Sequence, residues 1–195
     1  MNGFERRTEA KKYIIKKTAL KLFKLNGVKK TKIEAIAEEA QVSQVSIYNY
    51  FNSKENLFHE VIKDLIEDYT CKVETIVKDN DLDIREKFKQ IIQFELEALK
   101  DMHDDFLTKM YDTTDSFISE IIETYTINRT IPAFKALINQ GKEANVIKED
   151  IAIESILVYI GLFSHLRDKT TLQNTKMLRD LIYLFFYGIG GKHND

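Results

Sequence analysis

Residues 31–54 read TKIEAIAEEAQVSQVSIYNYFNSK, and two short helices, a tight turn and the start of a longer helix can be laid onto them. Thr31 is placed to cap the first helix. Glu34, three residues on, returns the bond, so that two amide donors at the helix start find partners. Ile33, Ile36, Ala37 and Ala40 then share one face and Glu34, Glu38 and Glu39 the other. Gln41 and Val42 make the turn, with Val42 inward, and Ser43 caps a second helix over 44–50. Ile47 and Phe51, four apart, pack back on the first helix, and two helices joined by so short a turn cross steeply. Ser53 caps the helix that follows, with Lys54 in its first turn.

The second helix turns Gln44, Val45, Ser46, Tyr48 and Asn49 outward. A merely solvated face would carry Lys, Glu and Arg. An amide, a hydroxyl and a phenol suit base edges and phosphates instead. The plain alternative is that Tyr48, Tyr50 and Phe51 are a packing cluster, but the caps and the outward polar face arise independently of it.

The run VSQVSIYNYFNSKENLF resembles the end of the helix-turn-helix DNA-binding domain of the TetR (tetracycline repressor) family. The likeness is strong over 31–58, loose back to Tyr13, and beyond that lies in helix layout alone. Relatives usually have a small residue where this chain has Val45 and often His where it has Asn49, which leaves the operator sequence open. The resemblance implies that Gln44, Val45, Ser46 and Asn49 face bases, that Thr31, Tyr48, Tyr50 and Lys54 hold phosphates, and that Arg6 and Arg7, on a basic arm over 1–7, reach a minor groove.

Charge agrees with that reading. Up to Lys54 there are 12 Lys/Arg and 5 Asp/Glu, net +7, and beyond it 17 against 26, net −9. Phosphates attract one end and repel the other, which orients the chain on a duplex. One Pro and 7 Gly in 195 residues suit an all-helical fold with short connections. The expected division is a helix-turn-helix domain over 1–53 and a helical effector-binding and dimerisation domain over 54–195, about nine helices in all. No apolar run reaches membrane-spanning length and residues 1–12 lack a secretory apolar block, so a cytoplasmic protein is expected, with no membrane partner.

In chain order, Ile14, Ile15, Ala19, Leu22 and Phe23 give a helix over about 8–26 that ends at Gly27, and Leu20, Leu25 and Val28 help close the small core. A lever helix follows over 54–77. Asp83 caps the next. An acidic break surrounds His103, and a short helix covers 106–111. A long helical segment over 116–144 contains Pro132, so a kink or break is expected near 129–131. Asn145 is placed to end that segment in a left-handed turn. Asp150 then caps a strongly apolar helix to about residue 166, and a last helix covers 172–187.

These last two helices carry more apolar residues than one buried face needs. Pairing with their copies in a second chain resolves this, through Ile156, Ile160, Phe163, Leu181, Phe185 and Phe186, with Gly161 permitting close approach. Family resemblance implies the same homodimer. It also implies an effector pocket in the body, for which Phe88, Phe94, Met102, Phe106, Met110, Tyr111, Phe117, Tyr125 and Phe134 are the candidates. An aromatic, Met-lined cavity suits a small apolar or aromatic molecule.

Cys71 is alone, and the four histidines form no metal-binding pair at helical spacing. No cofactor and no metal are expected. No phosphate loop, nucleophile elbow or other catalytic motif is present, which argues against an enzyme. Two readings remain: a repressor released from a palindromic operator by a small effector, or a helical protein-interaction or nucleoid-associated DNA-binding protein without one.

Overall fold

The computed structural model describes residues 3–100 and 102–163, together with Lys176, Asp180, Tyr183, Leu184 and Tyr187. The described chain is all-helical: α1 (Gly3–Asn26), α2 (Ile33–Glu39), α3 (Gln44–Phe51), α4 (Lys54–Lys78), α5 (Ile84–Lys100), α6 (Asp104–Met110), α7 (Ser116–Tyr125), α8 (Ile131–Glu143) and α9 (Ile153–Phe163), with a π-helical turn (Thr126–Thr130) between α7 and α8. No helix among these residues is long and apolar enough to cross a membrane.

The chain packs as two compact units, Met1–Cys71 with Asp101–Asn128, and Lys72–Lys100 with Arg129–Asp195. This packing division differs from the division at 53/54. α4 is one unbroken helix, so its residues fall in both units, and α6 and α7 join the first.

In the first unit Ile15, Ala19, Phe23, Ile36, Ile47, Phe51, Leu57 and Phe58 are buried, as the helical period predicts. Phe23, Phe58 and Phe106 meet edge to face, at centroid distances of 5.9 and 5.8 Å, the arrangement that aromatic quadrupoles favour. Ile14 and Leu25, expected in this core, are 47% and 60% exposed. The buried stripe of α1 is narrower than the apolar run, because only Ile15, Ala19 and Phe23 share one line along the helix. α1 also begins earlier than expected, so that Arg6 and Arg7 stand on its first turns rather than on a frayed arm.

Gly27 takes the left-handed φ of 80° that ends α1. The same position is sterically closed, since a Cβ there would lie 2.9 Å from His103 Nδ1 and 3.0 Å from Asp105. The start of α6 fits into that space. His103 N–H donates to Lys24 O at 2.7 Å, and Asp105 Oδ2 accepts from Lys29 N–H at 2.9 Å. The stretch around His103, read from sequence as an acidic break, is thus docked on the turn between α1 and α2.

In the second unit α8 packs on both α5 and α9 around Ile84, Phe88, Ile91, Phe134, Leu137 and Ile138. Lys87 is buried, and its ammonium donates to Val77 O (2.9 Å) in the last turn of α4 and to Gln140 Oε1 (2.8 Å). A cation beside open carbonyls at a helix C-terminus is favourably placed. Pro132 neither breaks nor interrupts the helical path. The backbone widens into the π turn just ahead of it, which absorbs the lost hydrogen bond and the ring's bulk. Arg129 in that turn forms a two-pronged pair with Glu74, at 2.8 and 3.0 Å. Asn145 (φ 55°) closes α8 as expected, with Val146 N–H bonded to Gly141 O and Asn145 N–H to Lys142 O. α9 starts at Ile153, after an uncapped Ala152, so Asp150 does not cap it.

Candidate nucleic-acid interface

The turn between α2 and α3 is built from backbone bonds. Val42 N–H reaches Ala37 O (3.0 Å) and Gln41 N–H reaches Glu38 O (3.2 Å), with Gln41 at φ 55°. That pairing is the Schellman closure, and it normally takes glycine at the position Gln41 fills. Ser43 caps α3 as expected, its Oγ accepting from Ser46 N–H at 3.1 Å. With Ile47 and Phe51 only 1% and 5% exposed, the axial rotation of α3 is set. Gln44, Val45, Tyr48 and Asn49 are exposed together on its outer face. Ser46 is half-buried, and its hydroxyl lies 2.8 Å from Ser43 Oγ. Tyr50 is half-buried, edge-on to Phe51 at 6.4 Å. It also lines an open cleft of about 640 Å³ with Lys12 and Tyr13 of α1, Asn56 of α4 and Phe117.

Two residues read as phosphate contacts are engaged inside the unit. Thr31 is 3% exposed, and its hydroxyl donates to Gly27 O (2.7 Å), with Leu22 O close by at 3.2 Å. It does not cap α2, whose N-cap is Lys32 without a side-chain bond. The turn after Gly27 carries Thr31 inward, where a hydroxyl must find carbonyl acceptors. Lys54 is half-buried, and its ammonium donates to Val28 O (3.0 Å), Thr31 O (3.2 Å) and Lys29 O (3.4 Å). An ammonium has three N–H groups, and all three point at this turn. Lys54 therefore ties α4 to the turn between α1 and α2 instead of standing ready for a phosphate. The exposed cations beside it are Lys29, Lys30 and Lys32. Their signal in the sequence is the basic run itself, which the motif reading passed over.

Ser53 caps α4, with Asn56 N–H on its Oγ at 3.0 Å. One turn into that helix, His59 Nε2 lies 2.8 Å from Asp115 Oδ2 and the imidazole stacks on Phe117 at 4.4 Å and 13°. Asp115 also caps α7 through Oδ1, accepting from Phe117 and Ile118 N–H. Burial works to raise the Asp115 carboxyl. The hydrogen bonds from His59 and from the Ile118 and Phe117 amides outweigh it and hold the group below the usual carboxylate range.

The nine residues proposed for an effector pocket are divided. Met102, Phe106, Met110, Tyr111, Phe117 and Tyr125 belong to the first unit and Phe88, Phe94 and Phe134 to the second. Phe106 is fully buried, with its ring edge-on to Phe58, and Phe117 is 37% exposed. Of the dimer candidates, Ile156 is 9% exposed and belongs to the protomer core, while Ile160 is half-buried. α9 instead exposes Val158 (67%), Tyr159 (39%) and Leu162 (60%). This is an apolar line at helical spacing, rotated from the one expected. A Cβ on Gly161 would meet nothing within 4 Å. The Phe163 side chain, Leu181, Phe185 and Phe186 lie outside the described residues.

Residues 15–61 match the family model described as bacterial regulatory proteins, tetR family. The chain is 24% identical over 206 residues to an uncharacterized HTH-type transcriptional regulator, YdgC, of Bacillus subtilis strain 168, with 96% of each chain covered. Among solved structures it resembles the fatty acid degradation regulator FadR of Bacillus halodurans (TM-score 0.68, 18% identity, 93% and 97% of the two chains covered). It also resembles FadR of Bacillus subtilis, solved in complex with stearoyl-CoA (TM-score 0.64, 19% identity, 91% and 98% covered).

Proposed function

We propose that this chain, whose residues 15–61 match the tetR family model and which resembles an HTH-type regulator along its length, is a TetR-family transcriptional regulator, a homodimeric repressor released from a palindromic operator by a small apolar effector. On this reading it is a DNA-binding regulator and not an enzyme, and it works in the cytoplasm. The observation that carries the reading is the outer face of α3: Gln44, Val45, Tyr48 and Asn49 are exposed side by side on a helix whose other face is locked by Ile47 and Phe51. Amides read base edges, Val45 offers apolar contact to a thymine methyl, and the Tyr48 hydroxyl suits a phosphate. Lys29, Lys30 and Lys32 supply the charge that Lys54 does not.

The exposed apolar line on α9 supports dimerisation. Two copies of one head enter successive major grooves when their recognition helices stand about 34–36 Å apart. α4 leaves α3 directly and ends where Lys87 holds its last turn, which suits it to carry a ligand's effect to that spacing. FadR with stearoyl-CoA supports an effector with a long apolar part, for which Phe88, Phe94 and Phe134 remain candidate contacts. A footprint on random-sequence DNA tests the reading. A two-fold symmetric site is expected, with Gln44→Ala and Asn49→Ala relaxing its sequence preference by about 1–3 kcal/mol each. Absence of any preferred palindrome would favour the protein-interaction reading.

A further inference from the structure

Outside the DNA-reading face, the first unit gathers three metal-ligating side chains that sequence spacing alone does not reveal. Glu55 and His59 stand one turn apart on α4, and Asp115 arrives from the N-cap of α7, so that one ligand atom from each lies within 4.8 Å of the others. The imidazole is held in place: its ring stacks on Phe117, and the side chain is 16% exposed. Asp115 keeps Oδ1 for the α7 amides, while Oδ2 faces His59. A structural ion pair needs only one carboxylate. The second, Glu55, is exposed and able to swing on its own rotamers toward the same nitrogen.

We propose that Glu55, His59 and Asp115 form a binding site for a divalent transition metal of the zinc type. One imidazole nitrogen and two carboxylate oxygens are a borderline donor set. They suit such an ion better than magnesium or calcium, which take oxygen alone, or copper(I), which takes sulfur. Zinc bonds of about 2.0–2.2 Å at tetrahedral angles put neighbouring donor atoms about 3.3–3.6 Å apart, so the His59–Asp115 pair, at 2.8 Å, has only to open slightly while Glu55 closes in from within 4.8 Å. The metal takes the Nε2 lone pair in place of the hydrogen bond to Asp115, the ring then carrying its N–H on Nδ1. Water completes the coordination. Occupancy fastens the first turns of α4, directly after α3, to the start of α7.

The test uses the full chain and cobalt(II) as a spectroscopic stand-in, displaced by zinc. One cobalt per chain is expected, with visible absorption but no thiolate charge-transfer band, the latter excluding Cys71. His59→Ala should abolish binding. Glu55→Gln, an exposed change that leaves the His59–Asp115 pair and the fold alone, should weaken it about tenfold or more. Absence of binding at millimolar metal, a thiolate band, or affinity untouched by either substitution would overturn the proposal. Because binding is read without DNA, its failure leaves the repressor reading standing.

Discussion

Replacing Lys54 by Met separates two roles that the same residue could play. The aliphatic stem is kept and only the ammonium is lost, leaving the carbonyls of Val28, Lys29 and Thr31 without their shared donor. Hydrogen bonds from a charged group contribute about 1.5–3 kcal/mol each. Here the site is only half-buried, the longest bond is weak, and water can replace part of what is lost. A total destabilisation of about 1.5–3 kcal/mol follows, or roughly 3–12 °C in Tm for a chain of this size. Melting by circular dichroism at one fixed chain concentration reads it, because dimerisation makes Tm concentration-dependent. The companion measurement is operator affinity against salt. A residue that neutralises a phosphate adds about 0.9 to the slope of log K on log salt concentration, whereas a tether adds nothing. Lys54→Met should therefore lower Tm and leave the slope unchanged. An unchanged Tm with a slope smaller by about two, one for each head of the dimer, would refute the assignment and return Lys54 to the phosphate backbone.

Three further outcomes follow from the same geometry. Gln41→Gly relieves a left-handed, non-glycine turn and should stabilise the protein by about 0.5–1 kcal/mol in urea unfolding, without altering operator preference. Gly27→Ala meets both a positive φ and the start of α6 at 2.9–3.0 Å, and should cost more than about 2 kcal/mol in the same assay. Val158→Glu with Leu162→Glu places charges on the exposed apolar line of α9. Sedimentation should show folded monomers with weakened operator binding, and an intact dimer would move the interface elsewhere.

Much of the fold is legible in the chain because its causes are local. Ser43 and Ser53 cap helices through amides three residues on, and so does Asp83. Gly27 and Asn145 end helices by backbone conformation, and the period of Ile33, Ile36, Ala37 and Ala40 names a buried face. Such relations recur at fixed small spacings, so residue order alone determined the helices, the turn between α2 and α3, and the outward face of α3. The roles of Thr31 and Lys54 were different in kind. Both carry groups suited to a phosphate, and only the path of the turn after Gly27 decides that they face inward; Lys54 meets Val28 across 26 residues. The same holds for the pairing of His59 with Asp115, 56 residues apart, and of Lys29 with Asp105, 76 apart. The rotation of α9 that exposes Val158 and Leu162 while burying Ile156 was likewise set by what packs against it. Contacts across such separations depend on how helices are laid together, and no spacing within a single helix encodes them.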